Sequence, residues 1–182
     1  MPTRVSTTHR RLGPAAVLTL ALATGAAVAV PTAPARAEDS ARFVIGNLSS
    51  YKCLEVADRR TDDGAPVRQW TCTGGDNQKW YWTDRNELVN VHSGKCLEIP
   101  AYSTTWGTPA GQWTCNGGTN QAWSDANRLH SGLRYLTNAH SGLYLDVAGA
   151  STADGAPVGQ WGLNAGYNQV WYYQPFPPGP HN

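Results

Sequence analysis

Three residue types suited to a polar, ring-shaped ligand recur three times in this chain. Each set contains a carboxylate, an aromatic ring and an amide, and 22 residues always separate the acid from the asparagine. A pyranose offers hydroxyls that donate and accept hydrogen bonds, and one flatter C–H face. A site for it needs a carboxylate acceptor, an amide and an aromatic plate. The sets are Glu55, Trp70 and Asn77; Glu98, Trp113 and Asn120; and Asp146, Trp161 and Asn168.

These sets lie within a longer internal repeat. A Q-x-W motif follows each asparagine directly and ends at Trp80, Trp123 and Trp171, with steps of 43 and then 48 residues. The blocks C-L-E-V, C-L-E-I and Y-L-D-V align upstream without a gap. A unit of this size is too small to bury a core alone, so the copies must pack against each other. We predict repeats at about 43–86, 87–132 and 133–174.

The local pattern predicts β-structure. Short alternating segments such as 52–56 and 143–147 are bounded by turn clusters, and no long helical period appears. Many short strands at regular spacing are typical of a closed β-architecture. The Gln and Trp of Q-x-W lie on one face of a strand, and we expect the three tryptophans to pack in the core.

With these motifs in register, the chain resembles the ricin-B-type lectin domains, which are also classed as a carbohydrate-binding module family. The resemblance runs from about Phe43 to Tyr173. It implies an all-β fold, the β-trefoil, with pseudo-threefold symmetry. It also implies an acidic sugar ligand, an amide ligand and a stacking ring at the aligned positions. The candidate carbohydrate-binding residues are Glu55, Trp70, Asn77, Gln78, Glu98, Trp113, Asn120, Gln121, Asp146, Trp161, Asn168 and Gln169.

The three copies depart from the family pattern in different ways. The usual acid is Asp, which only Asp146 keeps, and the Gln often found two residues before the ring is replaced by Arg68, Gly111 and Gly159. We therefore predict that the third repeat is the best site, with Asp146 at a hydrated pocket rim. The alternative is that the acids and amides are turn and capping residues kept by the fold.

The amino terminus reads as a secretory signal. Three early arginines precede an apolar stretch at 15–30, and Ala35-Arg36-Ala37 supplies an A-x-A cleavage site. We assign residues 1–37 to a signal peptide, 38–175 to the domain and 176–182 to a Pro-rich tail. The Arg10-Arg11 pair leaves a twin-arginine signal open. The apolar run is too short for a permanent membrane helix.

Four cysteines in a secreted chain suggest disulfides. Cys53 and Cys72 are 19 residues apart, as are Cys96 and Cys115, and both positions change together in the third copy. Joint loss favours a bridge within each of the first two repeats. A zinc site is the alternative, but the close C-x-x-C spacing is missing.

Charge and motifs narrow the function. Without residues 1–37 the chain carries 10 basic and 13 acidic residues, a net charge of −3 with no basic run. This disfavours nucleic acid and anionic membranes. No G-x-S-x-G or H-E-x-x-H motif occurs. We expect a secreted monomeric lectin without cofactor, metal or catalytic residues, which binds galactose-type sugars or xylan-like polysaccharide. The alternative is a β-trefoil inhibitor or protein-interaction scaffold, with an enzyme as the third choice.

Overall fold

The computed structural model describes residues 2–3, 41–126 and 128–175. The predicted tail, and the predicted signal peptide apart from residues 2 and 3, lie outside these residues. Residues 41–126 and 128–175 belong to one compact unit, Ala35–Asn182, and residues 2 and 3 belong to a separate unit, Met1–Pro34, in which both are exposed.

Twelve short strands are present in the described part of the chain, four in each third of the domain. Short 3₁₀ turns connect several of them, and no α-helix occurs among the described residues. The strands are β1 Phe43–Asn47, β2 Cys53–Val56, β3 Val67–Trp70, β4 Lys79–Trp82, β5 Leu88–Asn90, β6 Cys96–Glu98, β7 Gly111–Trp113, β8 Trp123–Ser124, β9 Thr137–Asn138, β10 Tyr144–Val147, β11 Val158–Trp161 and β12 Trp171–Pro175.

The strands form the β-trefoil that the resemblance to ricin-B-type lectin domains implies. Six of them close a barrel. β1 pairs with β12 and β4, β4 with β5, and β8 with β9, while single bridges Glu87↔Ala122 and Arg134↔Trp171 complete the ring. The other six form the hairpins β2–β3, β6–β7 and β10–β11. Three further bridges link these hairpins to one another, so each repeat depends on its neighbours.

The Q-x-W tryptophans form the centre of the core, as expected. Trp80, Trp123 and Trp171 are 0%, 2% and 0% exposed. Each indole N–H donates to a backbone carbonyl 26 residues earlier, at 3.0 Å in every case. The large apolar rings are therefore buried without leaving their polar edge unpaired.

Two disulfides brace the first two hairpins. Cys53–Cys72 and Cys96–Cys115 each have Cα atoms 5.1 Å apart. These are the pairs that the repeat comparison favours. Tyr144 and Leu163 occupy the corresponding positions of the third repeat.

Candidate functional site

A hairpin and a following turn position the carboxylate, ring and amide of each set. In the third repeat, Asp146 lies on β10 opposite Gly159 of β11, and Trp161 lies at the end of β11 opposite Tyr144. Asn168 lies in the 3₁₀ turn Tyr167–Gln169, directly before β12. The backbone thus brings together residues that are 22 positions apart in sequence.

A buried asparagine from another repeat fixes each of these turns. Asn47 donates from Nδ2 to the carbonyl of Asn168 at 3.0 Å, and its own Oδ1 accepts from the backbone of Ser49. Asn90 and Asn138 make the equivalent bonds to the carbonyls of the other two site asparagines, both at 2.9 Å. These contacts hold the backbone of Asn77, Asn120 and Asn168 in place.

In the third repeat, two amides donate to the same oxygen of the carboxylate. Asn168 Nδ2 lies 2.8 Å and Gln169 Nε2 lies 2.9 Å from Asp146 Oδ2. The two amides also donate to the carbonyls of Val147 and Gly162. No described residue donates to Oδ1 of Asp146, so this oxygen remains available as an acceptor.

The acids are more buried than the sequence suggests. Glu55, Glu98 and Asp146 are only 4%, 6% and 5% exposed, so the expectation of a hydrated rim position for Asp146 is wrong. Desolvation on burial raises the pKa of both Asp146 and Glu98, and the amide hydrogen bonds oppose this rise only in part. Each acid lies on the first strand of its hairpin, and the asparagine and glutamine of the following turn donate to it.

The Q-x-W glutamines lie behind the acids. Gln78, Gln121 and Gln169 are 0% exposed. In each, Nε2 donates to the acid and to a carbonyl, and Oε1 accepts from a backbone N–H. They have no exposed atom for a ligand, so the predicted direct contact is replaced by positioning of the carboxylate.

A cavity of about 350 Å³ opens beside Asp146 in the third repeat. Trp161, Asn168 and the small residues of the turn Ala148–Ala150 line it. Asn164 also lines it, and sequence reasoning missed this residue. The signal was present, because the position five residues before each Q-x-W glutamine is polar in all three copies: Thr73, Asn116 and Asn164.

In the first repeat, the side chain of Arg68 occupies the candidate site. Arg68 lies directly opposite Glu55 on the hairpin and donates from Nε to Glu55 Oε1 at 3.0 Å. Its guanidinium also lies over the ring of Trp70, 4.3 Å from the centroid, and bonds Asp58 at 2.9 Å. Acceptor and aromatic plate are thus already engaged within the protein.

The second repeat shares with the third the two amides that donate to one carboxylate oxygen, but it differs in a residue beside the amide. Asn120 and Gln121 donate to Glu98 Oε2 at 3.4 and 3.1 Å. Asn120 Oδ1 is buried without a hydrogen-bond partner. Tyr102 stands where the third repeat has Ala150, and its hydroxyl lies close to Gly118 beside Asn120. The larger side chain narrows the approach to this amide.

Within 41–126 and 128–175, no group of three or more His, Cys, Asp or Glu side chains is arranged to hold a metal ion. No helix in the part of the chain that the structure describes is long and apolar enough to cross a membrane.

Comparison with known proteins identifies the family and supports the fold. The family model described as ricin-type beta-trefoil lectin domain-like matches residues 32–113, 84–161 and 119–180. The chain therefore belongs to this family. Membership supports a carbohydrate-binding role.

Solved structures share both the fold and part of the sequence. The designed threefold-symmetric protein ThreeFoil is 39% identical, with a TM-score of 0.72 over 74% of this chain and 99% of its own. The exo-β-1,3-galactanase 1,3Gal43A of Clostridium thermocellum is 34% identical, with a TM-score of 0.73 over 76% of this chain. The chain spans only 31% of that enzyme.

A curated relative matches over a short segment. The probable lipoprotein EnvE of Salmonella typhimurium is 46% identical over 37 residues, which is 20% of this chain and 21% of that protein. The chain thus spans about a fifth of this relative.

Proposed function

We propose that the protein is a secreted lectin that binds galactose-type sugars or xylan-like polysaccharide without changing them, principally through the third repeat. One observation carries the proposal. The cavity there combines a carboxylate oxygen to which no described residue donates, an amide fixed in place and an exposed aromatic ring. These are the three groups that a pyranose needs.

Each residue has a distinct role in the proposed site. Asp146 accepts hydrogen bonds from sugar hydroxyls through Oδ1, and Asn168 offers its side-chain oxygen because its nitrogen is used within the protein. Asn164 adds a second amide at the wall. Trp161, which is 41% exposed, receives the flatter face of the sugar. Gln169 orients the carboxylate from behind.

Several features support binding without catalysis. Glycosidases use two carboxyl groups roughly 5–9.5 Å apart. Asp146 is the single acidic side chain among the described residues that line this cavity.

Support for a galactose-type ligand comes from the similarity to part of the exo-β-1,3-galactanase. The two disulfides and the signal-like amino terminus support export.

The proposed valency is lower than the repeats alone suggest. Arg68 occupies the first site, and Tyr102 narrows the second. Single shallow sites of this kind bind near the millimolar range, about −4 kcal/mol. We propose that a monomer with one open site recognises sugar, and that further sites add avidity on a polymer only where they become accessible.

Retention on insoluble polysaccharide tests the proposal. The protein lacking residues 1–37 is incubated with insoluble galactan, xylan and chitin, and bound protein is eluted with free galactose or xylose. Retention on galactan or xylan with elution by the matching sugar is expected. Failure to bind any of the three would refute the proposal and favour the protein-interaction scaffold.

A further inference from the structure

A cluster of exposed apolar side chains lies next to the third-repeat cavity. Trp106 is 58% and Trp161 is 41% exposed, and Leu163, two residues after Trp161 in the sequence, is 56% exposed. The rings of Trp106 and Trp161 have centroids 5.5 Å apart and planes tilted by 53°. Trp161 lines the cavity, so Trp106 stands one ring further out.

In the other two repeats the corresponding surface is polar. Asp154 accepts hydrogen bonds from the backbone and hydroxyl of Thr71, and an ion pair joins it to Lys52 at 2.7 Å. Asp63 makes the same contacts with Thr114 and Lys95. Each arrangement lies beside a disulfide. Hydrogen bonds and an ion pair thus connect the third repeat to the first and the first repeat to the second.

All members of the polar arrangement are replaced together around the third repeat. Trp106 takes the place of the aspartate, Gly162 that of the threonine and Leu143 that of the lysine. Tyr144 and Leu163 replace the cysteines.

The replacements fit each other. A Cβ on Gly162 would lie within 3.0 Å of three atoms of the Trp106 ring, so the indole packs directly over this glycine. The position of Trp106 is therefore built into the junction.

We propose that Trp106 forms a second aromatic subsite, which holds the neighbouring sugar of an oligosaccharide or polysaccharide whose first sugar occupies the Asp146 cavity. This inference rests on the proposed function of that cavity. Trp106 lies outside the residues that line the cavity, and its ring, tilted by 53° to that of Trp161, offers a separate aromatic face for the next sugar.

The subsite makes the third repeat selective for chains over single sugars. Stacking on an exposed aromatic face rewards apolar C–H surface and tolerates variation in hydroxyl direction. The Asp146 cavity therefore determines which sugar binds, and Trp106 adds affinity for the neighbouring sugar of the chain.

Titration of a matched pair of ligands tests the subsite. Galactose and β-1,3-galactotriose, together with xylose and xylotriose, are titrated into wild type, Trp106→Ala and Asp146→Asn. A second variant, Trp106→Asp with Gly162→Thr and Leu143→Lys, rebuilds the polar arrangement of the other repeats. It removes the ring without leaving the junction open. Thermal unfolding shows that each variant is folded.

The proposal predicts that both Trp106 variants bind the trisaccharide about five- to tenfold more weakly and the monosaccharide as wild type does. An unchanged ratio of trisaccharide to monosaccharide affinity would overturn the subsite while leaving the cavity intact. Normal binding by Asp146→Asn, or no binding by wild type, would instead refute the proposed function. Dimerisation of wild type that Trp106→Ala abolishes, measured by analytical ultracentrifugation, would assign the patch to a second copy of the chain.

Discussion

Arg68 Nε lies 3.0 Å from Oε1 of Glu55, so the first repeat supplies its own partner for the oxygen that stays free in Asp146. The two residues are directly opposite each other on β2 and β3, and glycines take the place of the arginine in the other hairpins. The arginine therefore occupies a position that is open beside Asp146 in the third repeat.

Removing the guanidinium should open the first site. Arg68→Gly, the residue of the other two repeats, is expected to free Glu55 and the ring of Trp70. Titration with galactose should then shift the indole N–H signal of Trp70 in an NMR spectrum, whereas no such shift is expected in wild type. Arg60→Gly is the control, because it removes the same charge from an exposed arginine that pairs with Asp62. A silent Trp70 signal in Arg68→Gly would show that other residues close this site.

Sugar binding should depend on pH through Asp146. Burial raises the pKa of this carboxyl above its ordinary value of 3.8, and the carboxylate acceptor is lost on protonation. Affinity should therefore fall as pH decreases through the raised pKa, at a higher pH than for a solvent-exposed aspartate. Titrations between pH 3 and pH 7 would measure this. A pH-independent affinity would contradict the role of the carboxylate.

Stability should depend on Asp146 with the opposite sign. A raised folded-state pKa means that the folded protein binds the proton more tightly than the unfolded chain. The contribution of Asp146 to the free energy of unfolding is then greatest below pH 3.8 and decreases as pH rises through the folded-state pKa. Asp146→Asn should abolish this part of the pH dependence. Urea unfolding of wild type and Asp146→Asn at several pH values measures the free energy of unfolding of each. If the two proteins show the same dependence on pH, Asp146 does not contribute in this way.

The threefold core should be sensitive to loss of one tryptophan. Trp123→Ala is expected to lower the free energy of unfolding by roughly 3–5 kcal/mol, because it empties a buried site and removes the bond to the Leu97 carbonyl. Trp113→Ala is the matched control, since that ring is 43% exposed and should matter much less. Equal losses in the two variants would remove the distinction between core and surface rings.

Each disulfide should stabilise the fold separately. Each closes a loop of 19 residues, so replacing both cysteines of one pair by alanine should cost about 3 kcal/mol. Chemical unfolding of the Cys53/Cys72 and Cys96/Cys115 double variants measures this. Peptide mapping without reduction must find these pairs. A bridge between repeats would contradict the structure.

Much of the fold was predictable because the same motifs occur three times, so that each position can be compared with two equivalent ones. The three Q-x-W motifs predicted a tryptophan core, the resemblance to ricin-B-type lectin domains predicted the β-trefoil, and joint loss of two cysteines predicted which cysteines pair. Aligned residues of the three repeats occupy equivalent places in their strands, and the place of a residue along a strand determines which residues it contacts.

The site was less predictable because it depends on side-chain direction and depth. The sequence showed Arg68 but not that its guanidinium reaches Glu55. It placed Asp146 at a rim, although the hairpin buries it. Asn164 and Trp106 lie on loops, where neighbouring repeats decide what a side chain faces. The third repeat remains our predicted principal site, and its small Ala150 adds a reason that the short acid did not supply.

One comparison tests the central claim most directly: galactose affinity of Asp146→Asn against Glu55→Gln, measured by isothermal titration calorimetry. The asparagine keeps an oxygen that can accept from Asn168 and Gln169, while it replaces the free acceptor with a donor. We predict that Asp146→Asn weakens binding more than tenfold, as loss of a charge-assisted hydrogen bond should, and that Glu55→Gln binds as wild type does. Wild-type affinity in Asp146→Asn, with loss of binding in Glu55→Gln, would contradict the account.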